Sequence, residues 1–218
     1  MNKNLTELVF ILDRSGSMSS MQAEAIGGFN SFLEEQKKVE GEAKLTVVLF
    51  DNQYELLCSG RDIKSCEPLT DKTFVPRGTT ALLDAVGRTV DEVGKRLAAT
   101  SEEERPGKVL VAILTDGLEN ASSDYKKIKI NEMITHQKEK YSWEFIFLAA
   151  NQDAIAEGMS LGIAPTLSMT YDACDAGFAK AFTAVSCSAT AYRTTGVINN
   201  LSQSVDADTA DKDVSDQK

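Results

Sequence analysis

The sequence has one histidine, four cysteines with no CxxC pair among them, and no apolar run long enough to span a membrane. Each shortage removes a class of function. Imidazole-based metal sites and histidine acid–base catalysis would have to rest on His136 alone, on the polar side of an expected helix. Cys58, Cys66, Cys174 and Cys187 show no disulfide framework and are expected as reduced thiols that pack as small, semi-apolar groups. Met1-Asn2-Lys3-Asn4 leads straight into Leu5–Leu12, which is too short and too strand-like for a signal peptide or a membrane span. The expected compartment is therefore the cytoplasm.

Positive charge is also scarce, with 23 Lys and Arg against 33 Asp and Glu and a formal net charge of -10. Nucleic acid and anionic membrane surfaces would repel such a chain unless a basic patch were set apart. The longest basic cluster, Lys126, Lys127 and Lys129, is interrupted by Ile128 and reads as the wet side of an amphipathic segment. The glycine motifs of dinucleotide-binding, P-loop and serine-hydrolase sites, GxGxxG, GxxxxGK[ST] and GxSxG, are all missing. The SxxK match at Ser123–Lys126 stands alone and is taken as coincidence.

What the chain does have is core: 42% of its 218 residues are apolar, enough for one sizeable globular domain. Apolar runs at Leu5–Leu12, Lys44–Phe50, Lys108–Thr115 and Trp143–Ala149, with a short one at Thr166–Met169, read as strands buried on both faces. Between them Met21, Ala25, Gly28, Phe29, Phe32 and Leu33, and then Leu82, Val86, Val90, Val93 and Leu97, recur at helical spacing. A helix capped by Ser122 or Ser123 is expected to run to about Lys140, another from about Gln152 to Gly162, and a last one carries the stripe Phe178, Phe182, Val185, Ala189 and Tyr192.

Tyr54–Cys58 and Asp62–Ser65 suggest a small antiparallel hairpin at the sheet edge. The pattern predicts an α/β, Rossmann-like three-layer sandwich: a mostly parallel central sheet with one antiparallel edge strand, and helices on both faces. The domain is expected over residues 1–194. Residues 195–218, without periodicity or aromatics, are expected to form a disordered acidic tail.

Chemistry concentrates where strands end. After the first strand comes Asp13-Arg14-Ser15-Gly16-Ser17, which puts three oxygen-bearing side chains at alternate positions in a loop leading to a helix. Asp116 ends the strand that includes Thr115, and Thr79-Thr80 precedes the helix that starts near Ala81. In a parallel α/β sheet, ligands bind beyond the carboxyl ends of the strands, so the three loops are expected to share one rim. Hard oxygen donors without Cys or His favour Mg²⁺, Mn²⁺ or Ca²⁺ over Zn²⁺, and the small number of carboxylates favours Mg²⁺.

Asp13, Ser15 and Ser17 resemble the DxSxS element of the von Willebrand factor A family's metal-ion-dependent adhesion site. Gly78–Ala85 is similar to that family's threonine loop, and Leu114-Thr115-Asp116-Gly117 to its last aspartate element. The resemblance covers about residues 5–193. It implies that Ser15 and Ser17 touch the metal, that a threonine binds directly or through water, and that Asp13 and Asp116 mostly hold metal-bound water. Many members have two glycines before one threonine, whereas Arg77-Gly78-Thr79-Thr80 leaves Thr79 and Thr80 as alternatives. Thr80 is preferred because it directly precedes Ala81-Leu82-Leu83-Asp84-Ala85. The metal set is therefore Asp13, Ser15, Ser17, Thr80 and Asp116.

The function implied is a non-enzymatic, metal-dependent protein-binding module whose partner presents an Asp or Glu carboxylate. Resemblance to stand-alone intracellular bacterial or phage members implies that such a partner can belong to an ATPase complex. Two other readings compete. A structural or scaffolding domain would use the metal only to staple loops. A haloacid-dehalogenase-like phosphotransferase would need an acid two residues after Asp13, where this chain has Ser15. Ser17 or Ser19 could also serve only as a helix cap, and Glu119, Asn120 and Asp84 are expected in solvent-facing or structural roles.

Overall fold

The computed structural model describes residues 1–150 and 153–202. Its core is a six-stranded sheet formed by β1 (Asn2–Asp13), β2 (Glu42–Phe50), β3 (Tyr54–Asp62), β4 (Pro106–Thr115), β5 (Glu144–Ala150) and β6 (Ser168–Tyr171). The strand order is β3-β2-β1-β4-β5-β6. Every pairing is parallel except β2 with β3, so the single antiparallel strand lies at one edge.

The apolar runs are continuous because both faces of the sheet are covered. Leu8, Phe10 and Leu12 of β1 point into a core completed by α1 (Gln22–Lys38) and α5 (Asp175–Thr195). Val9 and Ile11, between them, point to the other face. There α2 (Leu82–Ala99), α3 (Lys127–Tyr141) and α4 (Ala154–Ser160) contribute Val86, Val90, Ile130, Ile134 and Ala154. Burial of each large apolar side chain stabilises by roughly 1.5–3 kcal/mol before the entropic cost of ordering is counted. Phe10 anchors its side through Phe29, Phe32 and Phe182, with ring centroids 5.5, 4.5 and 6.4 Å away. At the far end of α5, buried Arg193 donates to the backbone oxygens of Gln36, Val39 and Gly41 and so occupies carbonyls that α1 leaves free where it ends.

Four expectations need correction. The edge hairpin is not contained within residues 54–65: Tyr54–Asp62 is one strand pairing back onto β2, and Ile63–Ser65 is a 3-10 turn. The helix expected from Ser122 or Ser123 begins at Lys127: Glu119 takes the amide and hydroxyl of Ser122, Asp84 takes the Ser123 amide, and the Ser123 hydroxyl donates to Asp124. The last strand starts at Ser168, after a 3-10 turn at Pro165–Leu167. The expected tail falls mostly outside the described residues, but α5 includes Thr195, and Leu201 beyond it is 1% exposed within the core. The globular unit thus extends past residue 194. Among the described residues no helix is long and apolar enough to cross a membrane.

Candidate metal centre

The register sets the rim. Asp13 pairs with Phe50, and Leu12 with Leu114, so β1, β2 and β4 end at nearly the same level. The turn after β1 is held from both sides: Arg14 N donates to Phe50 O at 2.8 Å, Gly16 N to Gly78 O at 3.2 Å, and Arg77 N to Arg14 O at 2.9 Å. The DxSxS turn and the threonine loop are thereby bonded backbone to backbone.

Within this frame the expected residues converge. Ser15 Oγ and Ser17 Oγ are 3.1 Å apart, and Ser17 Oγ donates to Asp116 Oδ1 at 2.8 Å. Asp13 is fully buried. Its Oδ1 accepts from Ser15 N at 2.7 Å, and its Oδ2 accepts from Thr115 Oγ1 at 2.6 Å. A Cβ added at Gly117 would lie 2.9 Å from Thr80 Oγ1 and 3.7 Å from Ser17 Oγ, which puts these two hydroxyls around one small space that glycine keeps open. Thr80 is buried whereas Thr79 is exposed, so the structure favours Thr80 as the inward-facing threonine. The helix-cap reading of Ser17 does not describe this arrangement. No side-chain cap bond is made at the start of the following 3-10 turn or of α1, and Ser19 donates to Gly16 O.

Electrostatics set this cluster apart. Burial pushes the Asp13 carboxyl up to about 6; hydrogen bonds from Thr115 and Ser15 act in the opposite direction, and the charge of Asp116 adds to the rise. Asp116 is also raised, chiefly by burial, against the hydrogen bond from Ser17. Among the described residues no ion pair reaches either carboxylate. No group of three or more His, Cys, Asp or Glu side chains capable of holding a metal occurs among them either. A cation here would rest on hydroxyls with two acids in support. That donor set suits a hard, partly hydrated divalent ion.

Other residues have roles that the sequence did not disclose. Asp51, at the end of β2, is buried; its Oδ2 accepts from Arg14 Nε at 3.2 Å and from Arg77 Nε at 2.8 Å. Its backbone oxygen accepts from Ala81 N at 3.0 Å. One carboxylate therefore ties together the β1, β2 and threonine loops. Its position after an expected strand was the available signal. Glu119 is engaged rather than simply exposed: its carboxylate accepts from the amides of Leu83, Ala121 and Ser122 and from Ser122 Oγ. Asn120 brackets Thr80, its side chain accepting from Thr80 N at 2.9 Å and its amide donating to Thr80 O at 3.1 Å. Asp84 has the structural role expected of it, receiving the amides of Ser123, Asp124 and Tyr125. His136 is exposed on α3.

Neither a family model nor a curated protein sequence matches the chain. Solved structures do. Proximal thread matrix protein 1 from the mussel byssus, in a form with a zinc-occupied MIDAS motif, has a TM-score of 0.57 at 16% identity over 85% of this chain and 46% of that one. A von Willebrand factor type A protein from Catenulispora acidiphila has a TM-score of 0.54 at 13% identity over 87% of this chain and 43% of that one. Manganese-loaded TRAP protein from Plasmodium vivax has a TM-score of 0.53 at 16% identity over 79% of this chain and 70% of that one. This chain spans less than half the length of the first two. At such identities the likeness establishes the architecture, which is that of the von Willebrand factor A fold.

Proposed function

We propose that the chain is a metal-dependent protein-interaction module and not an enzyme. The observation that carries this reading is the meeting of Asp13 and Asp116 with the hydroxyls of Ser15, Ser17 and Thr80 on one rim, where no protein cation among the described residues pairs with either acid. Ser15, Ser17 and Thr80 are the residues we assign to hold the ion. Both oxygens of Asp13 accept hydrogen bonds and it has no exposed surface, which suits it to orient the loop and balance charge from one layer out.

Mg²⁺ is the preferred ion because two carboxylates suffice for it. The zinc and manganese in the mussel and Plasmodium proteins mean that this choice needs direct measurement. When bound, the ion supplies an electrophilic centre that an incoming carboxylate can ligate in place of water. We assign that carboxylate to an Asp or Glu of a partner protein. A chain of net charge -10 repels acidic partners at long range, so attraction has to arise locally, at the cation. Catalysis is not part of the proposal, since the buried Asp13 is held by Ser15 and Thr115 and has no acid two residues on to act with it. The cytoplasm remains the proposed compartment.

Affinity capture from a lysate of the source cells, done with Mg²⁺ and repeated with chelator, tests the reading. Ser15→Ala combined with Ser17→Ala should abolish both Mg²⁺ binding and capture while leaving the circular-dichroism spectrum intact. Equal capture under all three conditions would leave the ion as no more than a loop staple. Phosphatase, nuclease and esterase assays should be blank, and activity lost in Asp13→Asn would overturn the non-enzymatic assignment.

A further inference from the structure

Cys58 and Cys66 carry no spacing signal in the sequence, yet the fold brings them together. β3 is irregular against β2: Leu45 pairs with Arg61, Val47 with Cys58 and Val48 with Leu56, so β3 bulges on either side of Cys58. Beyond Asp62 the chain folds back through the 3-10 turn, where Asp62 Oδ1 accepts from Lys64 N at 2.9 Å and Cys66 N donates to Ile63 O at 3.2 Å. The Cys66 side chain is thereby carried back beside β3, where Cys58 Sγ donates to Leu45 O at 3.5 Å and Cys66 Sγ donates to Asp62 O at 3.4 Å. Both line one small cavity of about 160 Å³ with Phe29, Leu57, Pro68 and Leu69.

We propose that Cys58 and Cys66 form a redox pair that closes to an intramolecular disulfide when the protein meets a small disulfide oxidant such as oxidised glutathione. Cys58 is partly exposed on the edge strand and is the residue that reacts first with the oxidant; Cys66 is 6% exposed and resolves the adduct. The Cys58 thiolate, its proton released to solvent, attacks one sulfur of oxidised glutathione and expels one glutathione thiolate. The Cys66 thiolate, its proton likewise released to solvent, then attacks Cys58 Sγ and expels the second, and each glutathione thiolate takes up a proton. Two protein thiols are oxidised and one glutathione disulfide is reduced to two thiols.

The surroundings grade the two sulfurs. Burial raises both, Cys66 to about 12, whereas at Cys58 a hydrogen bond from the Val47 backbone and the charge of Arg61 act against the rise. Exchange is therefore slow and responds to sustained oxidation rather than to brief exposure. Cys66 also opens the segment that leads to Thr80. That segment is fastened to α1 by Asn30, which donates to Leu69 O at 2.9 Å and accepts from Leu69 N at 2.7 Å. The disulfide would tie its first residue to the sheet edge.

The test uses the full chain in chelator, which keeps it independent of the metal reading. After incubation with oxidised glutathione, thiols are alkylated under denaturing, non-reducing conditions and the peptides are mapped by mass spectrometry. Cys58 and Cys66 should lose alkylation together and appear as one cross-linked peptide, and the melting temperature should rise by about 5 °C. Cys66→Ser should hold a lasting glutathione adduct on Cys58, and Cys58→Ser should leave Cys66 fully alkylated. Full alkylation of both thiols after oxidation, a lasting Cys58 adduct in the unmodified sequence, or pairing to Cys174 or Cys187 would each overturn the proposal.

Discussion

Asp13 ends β1 and Asp51 directly follows the neighbouring β2, and both are buried, at 0% and 1% exposure. Their surroundings are nevertheless opposite. Asp51 faces the guanidinium groups of Arg14 and Arg77, while Asp13 is met by the Thr115 hydroxyl, the amide and side chain of Ser15 and a second acid. Glu7, the third buried acid among the described residues, follows Asp51, with Arg96 Nη2 at 2.6 Å and Thr46 Oγ1 at 2.7 Å. A buried charge is tolerable when it is paired and hydrogen-bonded. Of the three buried acids, Asp51 and Glu7 each have an arginine and Asp13 has none. That contrast is the electrostatic argument for an external cation.

The largest expected effect comes from destroying the paired member. Asp51→Ala leaves the Arg14 side chain, 3% exposed, with only the half-exposed Glu55 as partner. Losing one partner of a buried pair costs about 3–5 kcal/mol, a fall in melting temperature on the order of 10 °C for a domain this size. Arg77→Ala should cost less than about 1 kcal/mol, because that side chain is 49% exposed. Thermal and urea melts of the two variants measure the difference. Equal melting of Asp51→Ala and the unmodified sequence would dissolve the comparison.

Asp13→Asn should act in the opposite direction. The rise from 3.8 to about 6 corresponds to on the order of 3 kcal/mol of opposition to the ionised form in the folded state. In metal-free buffer at pH 7 the variant should melt higher than the unmodified sequence, by up to that amount. Thr115 can turn its hydroxyl to accept from the new amide. Stabilisation by Mg²⁺ should disappear in the same variant.

The pH dependence follows from the same shift. A carboxyl with a raised folded-state value binds more protons folded than unfolded between pH 3.8 and about 6. The Asp13 contribution to metal-free stability is therefore complete below that window and is lost as pH rises through it. Urea melts in metal-free buffer, taken as the unmodified sequence minus Asp13→Asn at each pH, isolate it. Mg²⁺ affinity should rise across the same window and flatten above it, because the ion requires the ionised acid. A flat difference between pH 4 and 7 would remove Asp13 from the account.

The sequence disclosed what depends on periodicity and on strand ends. Leu8–Leu12 and Val109–Leu114 are uninterrupted because each is covered on both faces, and Asp13 and Asp116 were legible because each follows such a run. Contacts made across loops were hidden. Ser122 and Ser123 carry the chemistry of helix caps but answer to Glu119 and Asp84. Arg14 lies between the motif residues Asp13 and Ser15, and Arg77 precedes the threonine loop; only the folded rim shows that both serve Asp51. Leu201 is one apolar residue outside any periodic stretch, so its burial left no pattern to read. The approach of Cys66 to Cys58 depends on bulges, which composition does not encode.

The finest division between architecture and metal holding lies at Gly117. Its backbone is not in the left-handed region, so alanine is conformationally permitted there, and the question is only what its methyl would touch. The nearest atom is Thr80 Oγ1 at 2.9 Å, too close to remain in place. Thr80 is fixed through its backbone by Asn120 on both sides, so its hydroxyl has to turn while the loop stays. Gly117→Ala should therefore weaken Mg²⁺ binding by about tenfold, close to 1.4 kcal/mol, with the metal-free melting temperature within about 2 °C of the unmodified sequence. Calorimetric titration beside a thermal melt reads both quantities. Unchanged affinity would take Thr80 out of the metal set, and a large loss of metal-free stability would make Gly117 part of the architecture instead.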